Sequence, residues 1–251
     1  MMLGFYIILT AGIVLAGLYI SGVIRPPLLA KALASCAFVA LGAWALFALG
    51  ASGGTAPGAG APGLNGTDGP GAAAANFTPA RLLLFFGLVS GALGDILLEL
   101  FGPADKRFFI GVGAFFLGHA LYVASFFCID ASSALIAILC SFPVAATLTI
   151  LSARLLTFEG ARRLLLLVYM FALSFMCTFA WVILIRTGNI PFFFIAPGAL
   201  LFLASDTFLG LQLFGTDKLR RHSRLLGILC LATYYPAQLL IAASLAADLI
   251  F

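Results

Sequence analysis

Long apolar runs are the feature that most constrains the fold of this 251-residue chain. A run of about 18 apolar residues is long enough to cross a bilayer as a helix. Only 9% of the residues are charged, where a soluble domain carries about 25%. The runs predict an all-α fold: a polytopic membrane bundle of eight transmembrane helices that forms a single domain, residues 1–251. The predicted spans are 3–24, 28–50, 81–102, 107–128, 132–152, 163–186, 191–215 and 223–249.

The longest predicted connection, residues 51–80, is rich in glycine, alanine and proline. Such a composition cannot bury a core, so we expect a disordered loop. The loop contains two N-glycosylation sequons, at Asn65 and Asn76, and the sequence leaves open which of them is used. The sequons favour a eukaryotic endomembrane protein, with the endoplasmic reticulum as the expected location.

Basic residues lie almost entirely in alternate connections. Counted from the N-terminus, the odd connections and their helix ends hold eleven of the 13 Lys and Arg residues, and the even ones hold only Arg81 and Arg186. Because positive charge stays cytoplasmic, the odd loops are predicted to be cytoplasmic and both termini lumenal or extracellular. The net charge of +4 therefore reflects topology, and membrane lipid rather than nucleic acid is the expected partner.

Asp95 and Asp206 indicate function most strongly, because each lies inside an apolar span. An ionised carboxylate at mid-bilayer costs several kcal/mol, so such a residue faces a polar cavity or holds a proton. From the helical rise, both should lie about 4–5 Å to the cytoplasmic side of the midplane. The alternative for both is structural hydrogen bonding between helices.

Other polar residues of the spans fall near the same layer. Glu99 follows Asp95 by one helical turn, and Tyr122 follows His119 similarly, so each pair shares a helix face. The residues expected to position substrate or water are His119, Tyr122, Tyr234, Tyr235, Gln238, Lys31, Glu99 and Ser205.

Several of these residues also have ordinary structural explanations. His119 could be a hydrogen-bond donor between helices, and the tyrosines could be packing residues. Glu99 could pair with Lys106 or Arg107, and Lys31 could extend to the cytoplasmic surface. These alternatives stay open at the level of sequence.

Small residues on the third span predict close helix packing. Gly87, Gly91 and Gly94, together with Ser90, have the small-xxx-small spacing that lets helices approach. A tightly packed third helix would fix the position of Asp95.

Motifs of several enzyme classes are missing from the sequence. Two histidines are too few for a multi-histidine zinc site, and the five cysteines are scattered singly. No nucleophile elbow, P-loop or dinucleotide fingerprint occurs. The remaining chemistry is that of paired carboxylates, one holding a proton while the other stays ionised. Such a pair suits acid-catalysed cleavage through an oxocarbenium-like state, and it equally suits proton-coupled transport.

Four segments resemble the signature helices of the YhhN-type lysoplasmalogenase family. They are Gly91–Leu98, Phe116–Tyr122, Gly198–Asp206 and Thr233–Gln238. Lys31 and Tyr169–Met176 look similar too, so the resemblance runs in order from the second helix to the eighth. The insert at 51–80 departs from the family's usually short loop.

The resemblance implies hydrolysis of the vinyl-ether bond of lysoplasmalogens. The lysophospholipid substrate would give a fatty aldehyde and glycerophosphocholine or glycerophosphoethanolamine, and no metal or organic cofactor is required. The alternative is a proton-coupled transporter or lipid-binding membrane protein that uses the same acidic cavity. Headgroup preference and oligomeric state are not readable from the sequence.

The same resemblance suggests roles for the site residues. A protonated aspartate would be the general acid, and the ionised one would stabilise the cation and position water. Glu99 gives Asp95 the more acidic neighbourhood, which slightly favours Asp95 as the donor, although the sequence does not decide between the two. The residues that could orient water, the ether oxygen or the lipid phosphate are His119, Tyr235, Gln238 and Lys31.

Overall fold

The computed structural model describes residues 2–23, 27–51, 70–103, 105–156 and 161–247. Within these ranges the fold is all-helical, as predicted, and the one isolated β-bridge joins Leu156 to Gly215. The helices are α1 (Met2–Ile20), α2 (Pro27–Ala51), α3 (Pro70–Phe101), α4 (Phe108–Asp130), α5 (Ala134–Leu155), α6 (Ala161–Thr187), α7 (Phe192–Phe214), α8 (Asp217–Arg220) and α9 (Ser223–Ser244).

Seven helical stretches among the described residues are long and apolar enough to cross a membrane, so the chain is a multi-pass membrane protein. Six of them correspond to single helices. The seventh, Phe108–Leu155, is 48 residues long and combines α4, a 3₁₀ turn at Ala131–Ser133 and α5. The predicted count of eight separate spans is therefore not reached by helix length and hydropathy alone.

The 3₁₀ turn between α4 and α5 is held by polar contacts. The carboxylate of Asp130 accepts hydrogen bonds from the amide of Ser132 at 3.0 Å and from the hydroxyl of Ser133 at 2.5 Å. The guanidinium of Arg186, at the end of α6, donates to the Ser133 hydroxyl at 3.0 Å. These bonds satisfy polar groups where two apolar helices meet.

The chain reverses its direction at this turn. The ring of Tyr169 in α6 meets that of His119 in α4. Further along both helices, Phe179 of α6 meets Phe127 of α4, so α4 and α6 run parallel. The start of α5 lies beside the end of α6, through the Arg186 contact, so α5 runs antiparallel to both.

Two of the predicted cytoplasmic connections lie together at one end of the bundle. The bridge between Leu156 and Gly215 joins the end of α5 to the end of α7, and the amide of Thr216 donates to the carbonyl of Leu155 at 2.9 Å. Gly22, with φ of 72°, follows the end of α1, so this helix stops short of the predicted residue 24.

The predicted loop at 51–80 is partly helical. Helix α3 begins at Pro70, whereas the sequence predicted a start at residue 81, and the backbone of Asn76 therefore lies within a helix. The predicted disorder of residues 52–69 and the sequon at Asn65 lie outside the described residues.

The small-residue face of α3 provides the predicted close packing. An added Cβ at Gly87 would lie 2.3 Å from the ring of Tyr122, and one at Gly91 would lie 2.4 Å from the amide nitrogen of Gln238. Both distances are shorter than a van der Waals contact. Because these two glycines lack side chains, polar residues of α4 and α9 can approach the backbone of α3 near Asp95.

Candidate active site

Asp95 is a buried carboxylate, only 2% exposed, with partners on two other helices. Its Oδ2 accepts hydrogen bonds from the hydroxyl of Ser35 in α2 at 2.6 Å and from the phenol of Tyr234 in α9 at 2.8 Å. Its Oδ1 lies 3.8 Å from the ammonium of Lys31 in α2. Two hydrogen-bond donors and one cation therefore surround this carboxylate.

A chain of hydrogen bonds extends from Asp95 into the bundle. The side-chain amide of Gln238 donates to the Tyr234 phenol at 3.1 Å, and the Tyr122 phenol donates to the Gln238 oxygen at 2.9 Å. All of these side chains are at most 4% exposed. The structure therefore brings Tyr122, Tyr234 and Gln238 together with Asp95 in one network.

Glu99 pairs with Lys31 rather than with the basic residues that follow α3. Its Oε2 lies 3.7 Å from the Lys31 ammonium. Arg107 instead forms a salt bridge with Asp105 at 2.7 Å, and the Arg107 guanidinium holds the pKa of this carboxyl below its ordinary value. Lys31 thus lies between two carboxylates, Asp95 and Glu99.

Asp206 has a separate set of partners. The phenol of Tyr169 in α6 donates a short hydrogen bond to its Oδ2, and the Nε2 of His119 in α4 lies 3.4 Å from the same oxygen. His119 Nε2 is also 3.3 Å from the Tyr169 phenol oxygen, so the three groups form a triangle. The other ring nitrogen, Nδ1, is buried and has no hydrogen-bond partner in the part of the chain that the structure describes.

Aromatic rings lie between the two acids. The ring of Phe202 is 4.6 Å from that of His119, beside Asp206, and 5.4 Å from that of Tyr234, beside Asp95. Across the described ranges, no side chain hydrogen-bonds to both carboxylates. Asp95 and Asp206 therefore belong to two neighbouring hydrogen-bonded groups, each with its own donors.

Two predicted site residues, Ser205 and Tyr235, lie outside both hydrogen-bonded groups. The hydroxyl of Ser205 lies 3.5 Å from the sulfur of Cys230. The hydroxyl of Tyr235 is buried and has no hydrogen-bond partner among the residues described, while its ring packs against those of Tyr19 and Tyr234. Both are therefore placed around the site.

Two residues that contact the acids, Ser35 and Tyr169, were not among the site residues predicted from the sequence. Serine and tyrosine are inexpensive in an apolar helix, so neither is conspicuous in its span. The available signal for Ser35 was its position one helical turn after Lys31, on the same face of α2. Tyr169 lies in a segment noted above only for its resemblance to the family.

The acidic residues of this region do not form a cluster of metal ligands among the described residues. Within the ranges that the structure describes, no group of three or more His, Cys, Asp or Glu side chains could hold a metal ion. The two acids that lie nearest each other along α3, Asp95 and Glu99, are bridged by the ammonium of Lys31, which occupies the position between them.

The YhhN family model matches residues 70–245, from the start of α3 to just beyond the end of α9. The match includes Asp95 and Asp206, while Lys31 and Ser35, on α2, lie before it. No curated protein and no solved structure matches the chain. Since the matched residues make up more than half of the sequence, this protein belongs to the YhhN family.

Proposed function

We propose that this protein is a lysoplasmalogenase, which hydrolyses the vinyl-ether bond of alkenyl lysophospholipids. The observation that carries the proposal is the presence of two buried carboxylates with different partners: Asp95 beside an ammonium, and Asp206 beside a phenol and an imidazole. Environments that differ in this way let one carboxylate hold a proton while the other remains charged. Membership of the YhhN family supports the same assignment.

The reaction requires an acid and a stabiliser of positive charge. A proton is transferred to the outer alkene carbon, and the electrons of the double bond form the new C–H bond, leaving an oxocarbenium ion on the inner carbon. Water adds to this carbon and loses a proton, giving a hemiacetal. The hemiacetal then collapses to a fatty aldehyde and the glycerol hydroxyl of the glycerophospho compound. The net change is the addition of one water molecule.

The contacts favour Asp206 as the proton donor and Asp95 as the ionised group. A phenol donates to each acid, so the two differ in their other neighbours: the ammonium of Lys31 lies 3.8 Å from Asp95, and the imidazole of His119 lies 3.4 Å from Asp206. This assignment reverses the slight preference for Asp95 that its acidic neighbour suggested in the sequence. Asp95 would then stabilise the oxocarbenium ion electrostatically.

The hydrogen-bonded residues around the acids would position water and substrate. His119 has a free buried nitrogen beside Asp206, and Tyr235 has a buried hydroxyl near the Asp95 group, each without a partner among the described residues. Both atoms can bind a water molecule or the ether oxygen. Gln238 and Tyr122 would hold Tyr234 in the orientation that donates to Asp95.

We also propose that the long apolar stretch Phe108–Leu155 crosses the membrane twice, which gives eight crossings in all. Its 48 residues as one helix would be about 70 Å long, more than twice the bilayer core of about 30 Å. The antiparallel arrangement of α4 and α5 supports two crossings. With basic loops on the cytoplasmic side and both termini lumenal, the site would lie nearer the cytoplasmic leaflet of the endoplasmic reticulum membrane.

Aldehyde release tests the proposed activity. Purified protein in an uncharged detergent is incubated with an alkenyl lysophospholipid and with its saturated alkyl counterpart. We expect aldehyde from the alkenyl substrate alone, because only the vinyl ether forms an oxocarbenium ion on protonation. No aldehyde, together with proton-linked flux of a solute or lipid in liposomes, would support the alternative of a transporter that uses the same hydrogen-bonded acids.

Substitution of the acids tests the mechanism. We expect Asp95→Asn and Asp206→Asn each to lower kcat on the order of 100-fold or more, since each removes a group that acts on the charged transition state. Asp217→Asn, at an exposed carboxyl that begins α8, is the matched control and should retain activity. Normal hydrolysis by folded Asp95→Asn and Asp206→Asn would show that the mechanism is wrong.

A further inference from the structure

Three polar side chains, Tyr19, Lys31 and Glu99, lie at the end of the bundle where α1 and α3 end and α2 begins. Lys31 is four residues from the start of α2, and Glu99 is two residues from the end of α3. At the helical rise, they lie about 6 Å and 3 Å from their helix ends. Both residues therefore lie near the ends of their apolar spans, and Asp95 lies roughly one turn further in on the same face of α3 as Glu99.

The charges of Lys31 and Glu99 are adjacent but are not satisfied by each other. Their separation of 3.7 Å, like the 3.8 Å from Lys31 to Asp95, is too long for a hydrogen bond. The side chains are partly open, 11% exposed for Lys31 and 27% for Glu99. An ammonium has three donors and a carboxylate has about four acceptor positions, so both can bind further partners.

The third side chain of this group is aromatic. The ring of Tyr19 meets that of Tyr235 edge-on, with 6.0 Å between centroids, and Tyr235 in turn packs against Tyr234, which donates to Asp95. An aromatic face attracts organic cations. The carboxylates of Asp95 and Glu99 outnumber the single ammonium of Lys31, so the local net charge is negative. This charge disfavours a ligand that carries only negative charge.

We propose that Lys31, Glu99 and Tyr19 form a subsite for the zwitterionic headgroup of the lysolipid. Lys31 binds the phosphate, and Glu99 with the ring of Tyr19 binds the ammonium of ethanolamine or choline. Opposite charges then alternate between protein and ligand. The inference rests on the proposed function, because the substrate is a lysophospholipid whose vinyl ether must reach the acids.

The position of the subsite agrees with the shape of such a substrate. In a lysoplasmalogen, three glycerol carbons separate the phosphate from the vinyl ether. A phosphate on Lys31 therefore leaves the vinyl ether one or two helical turns deeper, at the level of Asp95. The subsite thus sets the depth at which the reactive bond lies.

Binding of saturated lipids tests the subsite without requiring hydrolysis. The probes are an alkyl lysophosphoethanolamine, the matching alkyl lysophosphate and the alkylglycerol, each titrated against the full chain in uncharged detergent. We expect the zwitterionic lipid to bind on the order of tenfold more tightly than the lysophosphate, as one charge-assisted contact allows. Glu99→Gln should bring this ratio close to one, and Asp105→Asn, at a partly exposed acid of the same bundle end, should leave it unchanged.

A second variant examines the phosphate contact. Lys31→Gln should weaken both phosphate-containing lipids relative to the alkylglycerol, by a similar factor for each. Equal binding of the zwitterionic lipid and the lysophosphate to the unaltered protein would overturn the proposal. A Glu99→Gln protein that keeps the unaltered ratio would do the same.

Hydrolysis of the corresponding alkenyl lipids separates the subsite from the activity. Selective binding that depends on Glu99, without aldehyde release, would retain the subsite and reject the proposed function. Aldehyde release at equal kcat/KM for the zwitterionic and phosphate-only substrates would retain the function and reject the subsite.

Discussion

The two buried aspartates, Asp95 and Asp206, differ in the residues that surround their carboxylates. Asp95 accepts hydrogen bonds from Ser35 and Tyr234 and lies beside the ammonium of Lys31. Asp206 has instead a phenol and an imidazole around one oxygen. Because a buried acid responds to its immediate donors and charges, these neighbours make the two carboxylates chemically different.

Tyr169→Phe tests the triangle around Asp206. The variant removes the hydroxyl that donates to Asp206 and leaves the ring in place, so the Asp206 carboxyl and His119 lose a shared partner. We expect kcat to fall on the order of 10- to 100-fold, with KM changed less than about threefold, because the contact acts on the proton donor rather than on substrate binding. Kinetics of aldehyde release measure both constants.

The matched control is Tyr6→Phe, at a tyrosine of α1 that is 53% exposed on the outer surface. It should keep both constants. A Tyr169→Phe protein that changes KM alone would contradict a role at the proton donor.

The acids and three of their partners, Lys31, His119 and Tyr234, were already candidates in the sequence, whereas Ser35 and Tyr169 were not. A carboxylate inside an apolar span is costly, so Asp95 and Asp206 are conspicuous in the sequence itself. A serine or tyrosine costs little free energy in a membrane helix, so Ser35 and Tyr169 are inconspicuous in the sequence. They contact the acids only because other helices bring Asp95 and Asp206 within hydrogen-bond distance. Glu99 shows the same limit, since its partner proved to be Lys31 of α2 rather than a basic residue next in sequence.

At the scale of helices, two glycines of α3 allow α4 and α9 to approach its backbone closely. Gly87 faces the ring of Tyr122, and Gly91 faces the amide of Gln238. These contacts belong to the same network that ends at Asp95. The packing of α3 and the orientation of the hydrogen-bonded chain are therefore coupled.

Gly91→Ala tests this coupling. The added methyl would lie 2.4 Å from the Gln238 nitrogen, so Gln238 and Tyr234 must move. We expect a loss of about 1–3 kcal/mol in the free energy of unfolding, as for other overpacked sites, and a lower kcat. Unfolding in mixed micelles and aldehyde release measure the two effects.

Gly113→Ala provides the control within a helix, because an added Cβ at Gly113 meets nothing within 4 Å among the described residues. There the substitution should stabilise the helix by roughly 0.5–1 kcal/mol through its effect on backbone entropy. Equal stability effects at both glycines would mean that the close approach at Gly91 does not constrain the bundle.

Helix bounds show which sequence signals are reliable. Most predicted ends lie within a few residues of the observed ones, because charged residues and glycines interrupt the apolar runs. The start of α3 was missed: residues 72–75 are all alanine, a strong helix former, but the glycine and proline around them favoured a loop. The sequence also separated spans 107–128 and 132–152, and the break lies within a few residues of the turn at Ala131–Ser133, which is held by Asp130.

For the molecule as a whole, the number of crossings decides where the two termini lie. If Phe108–Leu155 crosses twice, the chain crosses eight times and both termini are on one side. We expect glycosylation acceptor tags at the N-terminus and at the C-terminus both to be modified in endoplasmic reticulum membranes, since the charge distribution predicts a lumenal position for both.

The tags distinguish the alternatives clearly. Modification of one terminus alone would mean an odd number of crossings and would contradict the double crossing. Modification of neither, with a tag in the connection after α3 modified instead, would keep eight crossings but invert the orientation.

The surroundings of Asp95 come from two parts of the chain. Ser35 and Lys31 belong to the α1–α2 hairpin, before the segment that the family model matches, while Tyr234 belongs to the last long helix. During biosynthesis the hairpin enters the membrane first and α9 last, so Asp95 acquires its full set of partners only when the final helix docks. The network around Asp95 is therefore complete only when helices from both parts of the chain are packed together.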